Sequence, residues 1–510
     1  MTRPTLVTRR SIVRAGGIAA IMPFAGAALF PAQARQSNAP TGEVIISESA
    51  LLDSLDVLAG SPQLDYGMLE CLTRTTGSNE LVPWLAESFS NPTPETWRFT
   101  LRDARFWDGT PVTAKAIIDA FTQANEAHPE NLGLIGPETT ITAVDDRTLE
   151  FTSAGHDALL PYLLSLPNFV VFRKGQDGAA TVFTGPYRPV KFVVDTSLEL
   201  EAFTDHWAGP PPLAKITFKP ISDPNARLLA LQSGEVDLLF SFPPEFVQIL
   251  GTGFDVPVVP SGRIEMLSLN LQRPIFADVA VRQAFSLGID RDTLNLVGLD
   301  GQGEAARSLF PSTTGYPTVD FLKQDTTQAA SLLDAAGWVA GTDGVRAKGD
   351  QRLSFTIHAT TVRAEQVPVS VSIQNQLQAL GFEIQVKEVK SINDTLASGD
   401  WDAVMKANNT IASGSPIFEY NRLLLPGGGD NVNGYDNPKL TDLVAQMRKE
   451  SDAGKRDDLS RQIQTIFSED LPVVPLLALP ITIAYRSDKI APIDTNPNDY
   501  YLVTTDLKLA

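Results

Sequence analysis

Beyond about residue 42 the chain alternates between short period-two blocks and longer period-3.6 blocks of apolar residues. Residues 43–47 (EVIIS) predict a first strand. Trp97, Phe99 and Leu101 alternate with Arg98 and Thr100, the pattern of a half-buried strand. After the Asp108-Gly109 turn, Ile117, Phe121 and Ala124 fall at helical spacing within 113–128, and Pro129 ends that helix. Asp223-Pro224 predicts a capped helix start, Gly234 its stop, and 236–240 a following strand. Asp278 caps another helix with Val281 and Phe285 inward, and 327–336 predicts a helix closed by Gly337 at the C′ position. A strand at 353–357, a helix at 367–380 ended by Gly381, and a strand carrying Phe382, Ile384 and Val386 follow. Two helices come next, 438–449 and 455–467, the second with Leu459, Ile463 and Ile466 as its stripe. Strands and helices alternate but several strands arrive in pairs, which predicts mixed α/β lobes.

The first 34 residues carry a different pattern. Arg9-Arg10 and Arg14 precede a small, apolar stretch from Ala15 to Phe30, and Ala32-Gln33-Ala34 closes it. A basic segment, a short apolar run and A-x-A predict a cleavable export signal, and the paired arginines resemble the twin-arginine type. No Cys follows the run, which excludes a lipoprotein anchor. Removing Arg3, Arg9, Arg10 and Arg14 takes the formal charge from −19 to −23. Residues 471–485 are apolar but hold Pro472, Pro475 and Pro480, so they cannot form a regular membrane-spanning helix. The mature chain is expected to be exported and soluble.

With 510 residues the chain is long enough for about three folding units. Its negative charge argues against nucleic acid, whose phosphates need clustered Lys and Arg. One cysteine (Cys71) excludes an internal disulfide framework and a Cys-built metal cluster, and four histidines leave little for a transition-metal cage. Cys71 lies among Met68, Leu69 and Leu72 and is expected to be an inert core thiol. Catalytic motifs are missing: there is no G-x-S-x-G elbow, H-E-x-x-H helix, Walker loop or EF-hand loop. Gly427-Gly428-Gly429 predicts a flexible loop, and the neighbours His156-Asp157 and Asp205-His206 carry little signal, because a base and its orienting acid usually meet through tertiary structure. No catalytic residue, metal ligand or cofactor is assigned.

Eleven segments resemble, in order, the extracytoplasmic solute-binding proteins of ABC importers, in the large peptide/nickel-binding family (family 5). They are LVPWLAES (81–88), WRFTLR (97–102), FWDGTP (106–111), TGPY (184–187), HWAGPPP (206–212), ALQSGEVD (230–237), VRQAF (281–285), GIDR (288–291), LLDAAGW (332–338), GYDNP (434–438) and LPVVPL (471–476). The resemblance covers roughly 43–490. It implies an α/β, two-lobed periplasmic-binding-protein-like fold (type II, large cluster C type) with mixed sheets and hinge-linked lobes. Lobe I is expected at 35–262 plus 480–510 and lobe II at 263–479, with crossings near 263–271 and 472–481.

The resemblance further implies a monomeric periplasmic receptor that captures a small solute by lobe closure and delivers it to membrane permease subunits. A peptide or peptide-like compound is the default solute and a nickel chelate the alternative. An exported hydrolase and a sensor that does not transport are the other classes. The family's pocket loops map to Ala59-Gly60-Ser61, to residues 360–365, and to 408–415 after Trp401-Asp402. The expected ligand residues are Gly60, Ser61, Thr360, Arg363, Asn408, Asn409 and Thr410. Dipeptide binders of the family use an Arg and an Asp where this chain has Thr360 and Ala412, and Arg363 is the nearby substitute. Nickel-chelate binders carry a His near the position of Gly428. Trp401 is expected in the core.

Overall fold

A computed structural model describes residues 39–58, 64–175, 181–240, 242, 246–247, 249–493 and 496–510. The expected export signal, and the expected ligand residues Gly60 and Ser61, lie outside the described residues. The described residues belong to one compact unit, Ser37–Ala510.

Two long strands organise that unit. Val258–Leu269 and Val473–Arg486 run antiparallel, from Val258 opposite Thr482 to Ser268 opposite Val473. They stand in the middle of a twelve-stranded sheet. On one side follow Ala403–Asn409, Ser354–Thr360 and Glu383–Val389. On the other lie Leu238–Phe240, Glu43–Glu48, Lys215–Pro220, Ser197–Ala202 and Tyr187–Val193. Glu43–Glu48 is parallel to both Lys215–Pro220 and Leu238–Phe240.

The proline-rich apolar run that cannot form a spanning helix is thus the second long strand. Proline has no N–H to give a ladder and is placed in sheets at bulges or edges. Here the pairing slips between Pro260 and Ile264, and again between Glu265 and Met266, where Pro480 and Pro475 stand opposite. Alternation along the strands then feeds two cores. Ile264, Met266, Val473 and Ile483 join the larger cluster, whereas Leu267, Leu269, Val474 and Leu476 join a second one with Phe285, Trp338, Ile373 and Leu377. The helices Pro438–Lys449 and Ala453–Asp470 bury Leu440, Val444, Met447, Ile463 and Phe467 in the larger cluster.

The helix predictions hold closely. Thr113 caps Ala114–Ala127, Asp223 caps Pro224–Ser233, and Gly234 and Gly337 take positive φ of 77° and 85°. Two differences are local. Pro129 ends one helix, but Glu130–Ile135 starts at once after it, since a helix's first turn tolerates a missing N–H. The strand expected at 236–240 is only Leu238–Phe240, because the Asp237 carboxylate accepts from Ile45 N (2.9 Å) and anchors the segment before the ladder begins.

A separate four-stranded antiparallel sheet, Ala86–Thr93, Thr96–Leu101, Thr148–Thr152 and Thr140–Asp145, packs Phe99 and Phe151 with Phe121 of the first helix. Cys71 is fully buried, its Sγ 3.3 Å from Leu166 O, and burial pushes its thiol well up. Trp401 is also buried. No helix among the described residues is long and apolar enough to cross a membrane.

Candidate functional site

A cavity of about 650 Å³ opens where the two long strands slip past each other. Ser261 and Arg263 of the first strand and residues 479–483 of the second line it. One wall is Glu48 and Ser49 at the carboxyl end of Glu43–Glu48, with Ser222, Pro224 and Arg227 just past the end of Lys215–Pro220. The other is Thr361 to Glu365, the turn between the strand Ser354–Thr360 and the helix Gln366–Gln378. Loops at the carboxyl ends of strands are where open α/β sheets bind ligands, and the volume suits a small organic solute.

The walls carry both signs of charge. Glu48 accepts a hydrogen bond from the Tyr66 hydroxyl; burial pushes its carboxyl up to about 7, against the opposing pull of that bond and of Arg227. Arg227 is 5% exposed and gives Nη1 to Ile221 O (2.8 Å) and Ser222 O (3.4 Å). Across the cavity, Arg363 stands 3.9 Å from Glu365 and is 37% exposed at its side chain. Behind it Glu265 is fully buried in the first long strand. Gln366 Nε2 donates to Glu265 Oε1 (2.9 Å), while Gln366 Oε1 accepts from Thr360 N (3.1 Å). Burial, and then the negative charge of Glu365, hold the Glu265 carboxyl up, and Arg363 opposes them.

The expected ligand residues separate in this geometry. Arg363 lines the cavity. Thr360 is buried directly before the lining turn, and its Oγ1 accepts from Val362 N (3.2 Å), which shapes that turn. Asn408, Asn409 and Thr410 are not brought to the lining. Asn408 Nδ2 donates to Glu419 Oε1 (3.1 Å), Asn409 Nδ2 donates to Asn498 Oδ1 (3.2 Å), and Thr410 Oγ1 donates to Gly262 O (2.7 Å). Their amides and hydroxyl tie neighbouring segments together. The sequence reading did not single out Glu48, Arg227, Glu265 or Gln366. Of these, Glu265 had a visible signal, a carboxylate inside the apolar run Ile264-Glu-Met-Leu.

The neighbouring His–Asp pairs serve structure. His156 Nε2 contacts Ser451 Oγ (2.7 Å), Asp157 pairs with Arg448, and His206 meets the buried Glu70 (3.2 Å). Among the described residues no group of three or more His, Cys, Asp or Glu could hold a metal ion.

Residues 80–431 match the family of bacterial extracellular solute-binding proteins, family 5. The chain belongs to that family. It is 25% identical to the nickel-binding protein NikA of Staphylococcus aureus, over 86% of this chain and 88% of that one. It is 26% identical to the periplasmic oligopeptide-binding protein OppA of Escherichia coli, over 92% and 93%. The crystal structure of S. aureus NikA with Ni(L-His)2 superposes with a TM-score of 0.80 at 23% identity, covering 92% of this chain and all of that one. The fold is therefore that of the family's two-lobed binding proteins, and the chain is a solute-binding protein of the ABC-importer type.

Proposed function

We propose that this chain captures a peptide or peptide-like solute outside the cytoplasm and delivers it to the membrane permease of an ABC importer. Lobe I, 35–262 plus 480–510, closes on lobe II, 263–479, with the slipped stretch of the two long strands as the hinge. The first 34 residues direct export by the twin-arginine route and are then removed. Capture is by binding alone, with no covalent step. Ligand contacts available only when the walls meet favour the closed form, and a permease can read that form.

The observation that carries this reading is the cavity at the strand slip, with Glu48 and Arg227 on one wall and Arg363 and Glu365 on the other. Opposed charges on both walls suit a zwitterion. The likeness to OppA supports a peptide; the likeness to NikA supports the second reading, a nickel chelate whose metal is wrapped by its chelator.

Mature protein purified from its native compartment without refolding, then denatured, releases its solute for mass spectrometry and metal analysis. A stoichiometric peptide is the expected result, and stoichiometric nickel with an organic chelator would establish the second reading. Turnover of model peptides, esters or glycosides by the native protein, before denaturation, would overturn both. Replacing Arg9 and Arg10 with Lys is expected to leave precursor in the cytoplasm; unchanged export would assign the Sec route.

A further inference from the structure

We propose that Asp157 and Arg448 form a clasp that holds the two lobes shut from outside the solute cavity. Closing is then favoured before any solute arrives, and the clasp sets how much of the closing energy the solute must add. The inference rests on the lobes as proposed above and adds a second contact between them.

With those boundaries Asp157 belongs to lobe I and Arg448 to lobe II, and neither lines the cavity. Arg448 Nε donates to Asp157 Oδ2 (2.8 Å), and its Nη2 lies 2.7 Å from the same oxygen. The main chain joins in, with Ala158 N donating to Arg448 O (2.9 Å). Beside them His156 Nε2 contacts Ser451 Oγ (2.7 Å). Leu159 and Leu163 on one side, and Val444 and Met447 on the other, are buried in one apolar cluster. Ionic, main-chain and apolar terms all favour contact at this place.

Other contacts between the lobes stay beside the long strands. Gly262 N donates to Pro497 O (3.4 Å), and the neighbouring Asn498 gives Nδ2 to Ala412 O (3.0 Å). Contacts so close to the crossing can persist while the lobes turn. The clasp lies further out. The helix Pro438–Lys449 is tied at its start, where Asn437 Nδ2 donates to Asp470 Oδ2 (2.8 Å), just before the second long strand. At a rise of about 1.5 Å per residue, Arg448 stands about 15 Å along that helix. A turn of the lobes about the strand slip carries the far end of this arm, so opening breaks the clasp and closing remakes it.

The pair suits a reversible contact. Burying two opposite charges costs nearly what their attraction returns, so the net gain is small. Opening gives both groups back to water, whereas substitution of one partner leaves the other buried alone. A clasp of this kind biases closing without locking it, and solute contacts shift the remaining balance.

Spin labels read the lobes directly. Val144 of lobe I and Val339 of lobe II are 55% and 69% exposed, and the single native thiol, Cys71, is fully buried, so Val144→Cys and Val339→Cys take the labels. Distance distributions of the mature protein, dialysed free of solute, are compared with and without Asp157→Asn combined with Arg448→Met. That pair of substitutions removes both charges at once. The fraction at the clasped distance is expected to fall by about threefold or more. The melting temperature of the pair should lie above that of Arg448→Met alone, which separates lobe opening from damage to the fold.

Identical distributions in the two proteins would overturn the clasp and place both side chains inside one rigid body. A solute-free parent with nothing at the clasped distance would overturn it as well. Neither result bears on solute capture, which the mass spectrometry of released solute tests by itself.

Discussion

Arg448 grips Asp157 from 291 residues away: its Nε donates to Asp157 Oδ2 (2.8 Å), and Nη2 lies 2.7 Å from the same oxygen in the ion pair. The side chains are 20% and 5% exposed, so water compensates little for either charge. The other carboxylate oxygen of Asp157 accepts from Leu159 N (3.1 Å), and its carbonyl accepts from the Trp97 indole (2.6 Å). The pair thus fastens the helix Pro438–Lys449 to the segment after the small antiparallel sheet, where Leu159, Leu160 and Leu163 are buried. Removing one partner of a buried pair leaves the other charge without compensation. Arg448→Met is therefore expected to destabilise the protein by about 3 kcal/mol. Arg448→Met combined with Asp157→Asn should recover part of that loss, and urea melts of the single and double variants measure it. Additive losses would show that the two side chains do not depend on each other.

Stability should fall as pH rises from weakly acidic through neutral. The carboxyls of Glu48 and Glu419 are each pushed up to about 7 by burial, and Glu265 is also raised, by burial and by Glu365. In the unfolded chain these groups titrate near pH 4.5, so between there and about 7 the native state holds more protons than the unfolded state. Stability contributed by the protonated forms is complete below the unfolded value and is lost as pH rises through the folded values. The melting temperature should decline from pH 5 to pH 8. Glu265→Gln keeps a side chain of the same shape without the ionisation, so it should raise the melting temperature at pH 8 and flatten the decline. An unchanged slope in that variant would remove Glu265 as a source.

Much of the fold is legible because its signals are local. Thr113, Asp223 and Asp278 announce helix starts, and Gly234, Gly337 and Gly381 announce their ends, through backbone chemistry that needs no tertiary partner. The cavity is only partly legible. Arg363, which the resemblance marks as a substitute near Thr360, lines the cavity, whereas Arg227 falls on a helix face and resembles any solvated arginine until the loop carbonyls close around it. Asn408, Asn409 and Thr410 show the converse. Neutral donors in a row suit a ligand or a structural junction equally, and their meeting with Glu419, Asn498 and Gly262 is visible only in the folded chain.

That distinction can be measured. Asn408→Ala removes a donor from Glu419, whose side chain is wholly buried, and should cost about 1–3 kcal/mol of stability. Solute affinity, measured at a temperature where the variant is fully folded, should stay within about threefold of the parent. Arg363→Gln should give the opposite result, weaker binding with a melting temperature close to the parent's. A large affinity loss in Asn408→Ala would return Asn408 to the binding site.

Gly262 tests the slip between the long strands directly. Its φ is not in the left-handed region, so backbone freedom is not why glycine is needed. Space is. A Cβ there would lie 1.9 Å from Ile411 Cγ1 and 2.6 Å from its Cδ1. The backbone around it cannot easily retreat, because Gly262 O accepts both from Thr410 N (2.9 Å) and from Thr410 Oγ1 (2.7 Å). Ile411 is fully buried and would have to yield instead. Gly262→Ala should therefore destabilise by about 1–3 kcal/mol, the usual cost of overpacking. Adding Ile411→Ala takes away the two nearest clashing carbons and leaves only Cβ, at 2.9 Å, so the Gly262→Ala change should be better tolerated than in the parent, although Ile411→Ala alone opens a cavity and costs stability by itself. Thermal melts of the four combinations give the coupling between the two sites. Because Ser261 and Arg263 line the cavity on either side of Gly262, the single variant should weaken solute binding as well, and the second substitution should restore it. If stability returned without affinity, the slip would matter to the fold and not to the geometry of the site.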